Sequence, residues 1–276
     1  MKKIVLSAIF AVISIVSAWA VNTAQIDTLE VLSPSMNANI ATIVIKPADF
    51  NKSKKYPVVY MLNGHGGHQF SWLEIQPELP RLASEHQVIM VCPAGHNSWY
   101  WDSPVDPSKK FETFVSGELV DYIDSHYPTI SSPAGRAITG LSMGGHGAMF
   151  LGISHQDVFG ACGSMSGGLD IRPFPKNWNM NELLGEYADN PSLWEEHTVI
   201  NLVDRIRPGF AITFDCGTDD FFFRVNNRLH EELLYRNIPH DFSTRPGGHT
   251  WDYWNNSLDY HLLFFDKFFK KAESKK

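Results

Sequence analysis

A chain of 276 residues, 43% hydrophobic and 19% charged, carries enough apolar material for one large core, which excludes a disordered polymer. Acidic residues outnumber Lys and Arg by 30 to 23, a formal charge of −7, so the broad cationic surface that nucleic-acid binding needs is missing. Cys92, Cys162 and Cys216 are odd in number and sit among apolar or small neighbours; they read as buried strand-end thiols, with one bridge as the alternative and no zinc spacing.

In chain order, residues 1–20 open with Lys2 and Lys3, run apolar from Ile4 to Val16 and close on Ala18-Trp19-Ala20. A charged start, an apolar stretch too short to span a bilayer and a small-x-small end are the pattern of a secretory signal peptide. Export to the periplasm or beyond is the expectation, with no membrane contact after cleavage. Residues 21–276 then form a single domain. Short β-rich runs follow at 29–32, 40–45, 58–62, 88–92, 137–141 and 211–214, most of them apolar without alternation, as strands buried on both faces are. Between them Phe111, Phe114, Val115, Leu119, Tyr122 and Ile123 recur at helical steps, as do Trp251, Trp254, Leu258, Leu262, Phe265 and Phe269 near the end. Segments 143–154 and 225–235 fill two further gaps with helix. Strand alternating with helix predicts the α/β class. Residues 167–208 break the alternation and are expected to form an insertion over the rim of the active site, where strand-end excursions shape ligand sites. A packing insert is the alternative.

Strand 137–141 runs into Gly140-Leu141-Ser142-Met143-Gly144-Gly145, a G-x-S-x-G pentapeptide between strand and helix. Glycines two residues either side of the serine permit a turn sharp enough to lift its hydroxyl clear of the sheet. A serine hydroxyl is a poor nucleophile at neutral pH and needs a base, and the base needs an orienting group. Strand 211–214 leads into Asp215-Cys216-Gly217-Thr218-Asp219-Asp220-Phe221, with two adjacent carboxylates, and a last strand-like stretch ends in Pro246-Gly247-Gly248-His249-Thr250-Trp251, which puts a histidine on a loop ahead of the last helix. The order serine, aspartate, histidine is that of one of the serine hydrolase folds.

Those two motifs, the Asp219-Asp220 loop and Tyr60-Met61-Leu62-Asn63-Gly64-His65-Gly66-Gly67 resemble the esterase D-like family of α/β-hydrolases over residues 27–270. That family includes acetyl xylan and feruloyl esterases, S-formylglutathione hydrolases and mycolyltransferases. The resemblance implies an α/β-hydrolase fold, with a mostly parallel central sheet flanked by helices on both faces. It implies Ser142 as nucleophile, His249 as base and Asp220 as the acid, with Asp219 the alternative. The backbone N–H groups of His65 and Met143 would form the oxyanion hole. Asn63-Gly64 departs from the His-Gly of many relatives; because the hole uses backbone donors, the departure bears on loop orientation.

Further residues carry two readings each. Trp99 and Trp101 are expected either to stack on a substrate sugar or aromatic acid, or to pack in the core. His146, four residues after Ser142, reads as packing at a helix start. His65, His68 and His96 suggest a metal site, but no carboxylate is spaced to complete it, and serine hydrolysis calls for no metal or cofactor. The terminal lysines 267, 270, 271, 275 and 276 read as a solvated end. The expected substrate is a small-molecule or polysaccharide ester, with acetyl or feruloyl groups on xylan foremost. Alternatives are acyl transfer to a sugar or lipid, and a silent carbohydrate-binding relative using Trp99, Trp101 and Trp178. Oligomeric state has no signature in the chain.

Overall fold

The computed structural model describes residues 25–273; the predicted signal peptide at 1–20 and the last lysines lie outside them. Strands β1 (Gln25–Ser33) and β2 (Ala38–Lys46) form an antiparallel hairpin at one edge of an eight-stranded sheet. β2 pairs antiparallel with β4 (Ile89–Pro93), and every other pairing is parallel, through β3 (Val58–Leu62), β5 (Arg136–Leu141), β6 (Ala161–Met165), β7 (Ala211–Gly217) and β8 (Asp241–Arg245). The spatial order β1-β2-β4-β3-β5-β6-β7-β8 places the reversal of winding between β3 and β5. In open α/β sheets the crevice outside the strand carboxyl ends at such a point is where ligands bind.

Side chains alternate across a strand, so each central strand feeds two cores. Val58, Tyr60 and Leu62 enter one, packed under α3 (Phe111–Thr113), α4 (Leu119–His126), α5 (Met143–Ser154) and α8 (Phe223–Tyr235). Val59 and Met61 enter the other, under α1 (Ser71–Ile75), α2 (Leu79–His86) and α9 (Trp251–Glu273). On α9, Leu258, Leu262, Phe265 and Phe269 are buried at helical spacing, each contributing roughly 1.5–3 kcal/mol by the area removed from water. Phe111 to His126 forms one continuous helical stretch, because a π turn at Phe114–Glu118 joins α3 to α4.

One strand was not predicted. β6 reads Ala-Cys-Gly-Ser-Met, with no β-branched residue, because α9 crosses it at close range: a Cβ on Gly163 would lie 2.5 Å from His261 Nδ1. Small side chains there serve helix approach rather than strand propensity. Cys92, Cys162 and Cys216 are all free and buried, so the alternative of one bridge is not met, and burial pushes each thiol far above its ordinary pKa. The segment 167–208 holds two short helices, α6 (Met180–Leu184) and α7 (Pro191–Glu196), and a 3₁₀ stretch at Val199–Arg205. Its Trp178 reaches the cleft described below.

Candidate active site

Ser142 sits between β5 and α5 with φ +55° and ψ −119°, a conformation that is strained for a residue with a Cβ. The strain is held by neighbours on both sides: the Ser142 N–H donates to Met165 O (2.9 Å) and its carbonyl accepts from His146 N–H (3.0 Å). The flanking glycines are there for contact distance. A Cβ on Gly140 would lie 2.3 Å from the Gly144 carbonyl oxygen, and one on Gly144 would lie 2.3 Å from Leu62 O. Side chains there would push α5 off β3 and β5 and take the hydroxyl with it.

The structure brings Ser142, His249 and Asp220 into one hydrogen-bonded line. Nε2 of His249 is 2.8 Å from Ser142 Oγ, and Nδ1 is 2.8 Å from Asp220 Oδ2. A carboxylate only accepts, so Nδ1–H donates to Asp220 and the neutral Nε2 faces the serine hydroxyl as a proton acceptor. The second Asp220 oxygen accepts the Phe222 N–H at 2.8 Å. Of the two adjacent acids only Asp220 is buried; Asp219 is exposed, and its N–H donates to Gly247 O at 2.9 Å, which ties down the histidine loop.

His65 N–H lies in the loop after β3 and Met143 N–H opens α5, both beside Ser142, and among the described residues no acceptor within the chain takes either one. Such free donors at a helix start and an adjacent loop are what an oxyanion hole requires. Asn63, the departure noted in the sequence, orients the first of these loops. Its carboxamide oxygen accepts Gly95 N–H (2.9 Å), its nitrogen donates to Gly64 O (2.8 Å), and Tyr100 O–H donates to its carbonyl (3.0 Å). A second tie runs from Gly66 N–H to Asn97 Oδ1 at 2.7 Å.

The cleft above Ser142 has a volume of about 430 Å³, within the range of small-ligand sites. Trp178, Phe221, Trp251 and Trp254 form its aromatic walls, while His65, His68 and Glu74 supply polar edges. In the sequence Trp251 and Trp254 mark only the period of the last helix, and Phe221 only ends the Asp219-Asp220 motif. Trp251 is 55% and Phe221 51% exposed, and the run of three phenylalanines, Phe221 to Phe223, directly after the Asp219-Asp220 motif was the available signal.

Trp99 and Trp101 require correction as substrate-binding residues: they are 1% and 0% exposed and belong to the core. They stack on each other at 5.4 Å, and the Trp101 indole N–H donates to His146 Nε2 at 2.9 Å. His146 Nδ1 then carries the proton, shared with Gly168 O at 2.8 Å. Both ring nitrogens are engaged, and burial pushes the His146 pKa down to about 3, so it serves as a neutral packing group rather than a second base. Of the three histidines considered for a metal, His65 and His68 line the cleft, while His96 packs edge-on against Phe111 elsewhere. Burial is the main cause holding His65 below its ordinary pKa.

Fold and site together define an α/β-hydrolase. The profile of the family described as "Putative esterase" matches residues 33–265, and the chain belongs to that family. It is 28% identical over 247 residues to an acetyl esterase of Caldicellulosiruptor saccharolyticus, covering 82% of this chain and 92% of that one. It is also 27% identical to the diacylglycerol acyltransferase/mycolyltransferase Ag85A of Mycobacterium leprae, covering 85% and 80%. A solved ferulic acid esterase superposes with a TM-score of 0.76 at 31% identity, over 89% of this chain and 99% of the other. Among the described residues no helix is long and apolar enough to cross a membrane.

Proposed function

We propose that this esterase cleaves carboxylic esters through Ser142, His249 and Asp220, acting on acetyl or feruloyl groups of a plant polysaccharide such as xylan after export. The observation that carries the reading is the unbroken line from Asp220 through His249 to Ser142 on a strained turn at the floor of an open cleft. Ser142 Oγ attacks the ester carbonyl as His249 Nε2 takes its proton; Asp220 stabilises the imidazolium, which protonates the departing alcohol. Water repeats the cycle on the acyl-enzyme. The N–H groups of His65 and Met143 would receive the oxyanion, each contributing about 10²–10³ in turnover. Export rests on the signal-like residues 1–20.

The aromatic walls favour a flat aromatic acyl group, as does the likeness to a ferulic acid esterase. The relative named as a mycolyltransferase supports a second reading, acyl transfer to a sugar or lipid alcohol. The test is a panel of acetylated and feruloylated oligosaccharides on purified protein, with and without a sugar acceptor, and with fluorophosphonate labelling. The expected results are hydrolysis, labelling at Ser142, and loss of both in Ser142→Ala by roughly 10⁵–10⁶ in turnover. Near-normal hydrolysis by Ser142→Ala would overturn the mechanism. Glycan binding without labelling would identify a silent binding protein, and an acylated acceptor would identify a transferase.

A further inference from the structure

His249 sits on a loop whose preceding residues, Gly247 and Gly248, give it little stiffness of its own, yet its two hydrogen bonds require the imidazole within a few tenths of an ångström of one position. Asp220 fixes the Nδ1 end. Three aromatics contact the ring, the buried Phe222 edge-on at 5.7 Å and 74° and two others at shorter range. Phe221 lies 4.3 Å from the imidazole, centroid to centroid, with planes 35° apart, and Trp254 stands nearly perpendicular at 4.8 Å and 88°. Trp254 is buried, 6% exposed, and belongs to the core of α9. Phe221 is different. It is 51% exposed, an unfavourable place for a phenyl ring, and its outer side is stacked by Trp178 at 5.5 Å and 23°. Trp178 comes from the 167–208 excursion, and its carbonyl accepts the Trp99 indole N–H at 3.2 Å.

Resting on the triad reading above, we propose that Phe221 is a positioning residue for His249: its ring face, backed by Trp178, keeps the imidazole aligned between Asp220 and Ser142 and stabilises the positive charge that forms when Ser142 yields its proton. The electron-rich face of a phenyl ring attracts a cation within about 6 Å of its centroid. Phe221 is next to Asp220 in the chain, so one dipeptide supplies both the carboxylate at Nδ1 and the ring on the face.

The charged and titratable groups around the imidazole are Asp220 at Nδ1, Ser142 at Nε2, exposed Asp219 in the same loop as Asp220, exposed Asp252 on the first turn of α9, and His65, His68 and Glu74 lining the cleft. Substitution at 221 leaves all of them in place. Losing the ring face removes its attraction for imidazolium, and a leucine at 221 keeps the bulk that excludes water, so that loss dominates.

The experiment is an NMR titration of the His249 ring in the full-length mature protein and in Phe221→Leu, which keeps bulk without the aromatic face; it needs no turnover. The expected result is a midpoint lower by about half a pH unit. Phe221→Tyr should restore it, and Trp178→Leu should give a smaller shift in the same direction that does not add to that of Phe221→Leu. A midpoint that stays put, rises, or is not restored by tyrosine overturns the proposal. Because Phe221 is half exposed, the variants should melt with the parent. The same variants assayed on p-nitrophenyl acetate should lose roughly three- to tenfold in kcat with little change in KM, and the acid limb should move with the NMR midpoint. Activity that survives Ser142→Ala would sink the triad reading instead, whatever the titration shows.

Discussion

Among the described residues there are two hydroxyl–imidazole–carboxylate chains, and one of them opens to a cleft. At the cleft are Ser142, His249 and Asp220. Within the fold are Thr139, His261 and Asp215: Thr139 Oγ1 is 2.9 Å from His261 Nδ1, and His261 Nε2 is 3.2 Å from Asp215 Oδ2. The two arrays use the same strands. Thr139 precedes Ser142 on β5, and Asp215 on β7 precedes the loop of Asp220. Yet Thr139, His261 and Asp215 are at most 1% exposed, while Ser142 is half-buried at the cleft floor. Thr139 has ordinary strand neighbours and is fully buried, so no substrate carbonyl can approach its hydroxyl. Asp215 also accepts from Ser257 Oγ (3.0 Å) and faces Arg245 Nη2 (3.1 Å), which satisfies its charge within the core. Arg245 ends β8, four residues before His249, so the buried array holds the strand from which the base loop departs. Like groups in like order therefore stand in different settings: one on a strained elbow at an open cleft, which the proposed chemistry uses, and the other fully buried as a clamp.

Substitutions at matched positions should separate the two. Asp220→Asn keeps the shape but removes the charge that selects the His249 tautomer, and turnover should fall roughly 10⁴-fold with little change in melting temperature. Asp219→Asn, at the exposed neighbour, should leave turnover within about twofold. Asp215→Ala should do the reverse, lowering stability by about 3 kcal/mol because Arg245 loses its buried partner, while the folded fraction keeps most of its turnover. Activity assays beside urea titrations would read both, and a large turnover loss at fully folded Asp215→Ala would break the division of labour.

A smaller effect concerns His146, the third imidazole near the elbow. Its folded pKa is pushed down to about 3 from an ordinary 6.5, so the unfolded chain binds the extra proton between those values. Stability from this residue is then fully present above about pH 6.5 and declines as pH falls toward 3. Urea midpoints from pH 7 to 4 should drop less steeply in His146→Gln than in the parent, and equal slopes would show that carboxylates alone govern the acid limb.

Much of the site was legible because its chemistry is local. Gly140, Ser142 and Gly144 encode the elbow within five residues, and Asp220 and His249 lie in short loops bounded by strand and helix signals. The α/β class followed from apolar runs alternating with helical periods. β6 was not legible, because its small residues answer to α9 and α5 lying against it. Trp99 and Trp101 were equally suited to a cleft or a core in the sequence, and only the fold, with Trp99 and Tyr100 at positive φ, shows both buried.

By itself the amino-acid order determined which reactive groups exist and the backbone turns that present them, since periodicity, glycine placement and turn chemistry act over a few residues. Only the tertiary structure decided which aromatic rings line the cleft, that Asp220 rather than Asp219 is enclosed, and that Asp215 and His261 are sealed away. Those outcomes depend on which distant segments exclude water from a given side chain, and solvent exclusion is a property of packed surfaces rather than of any stretch of chain.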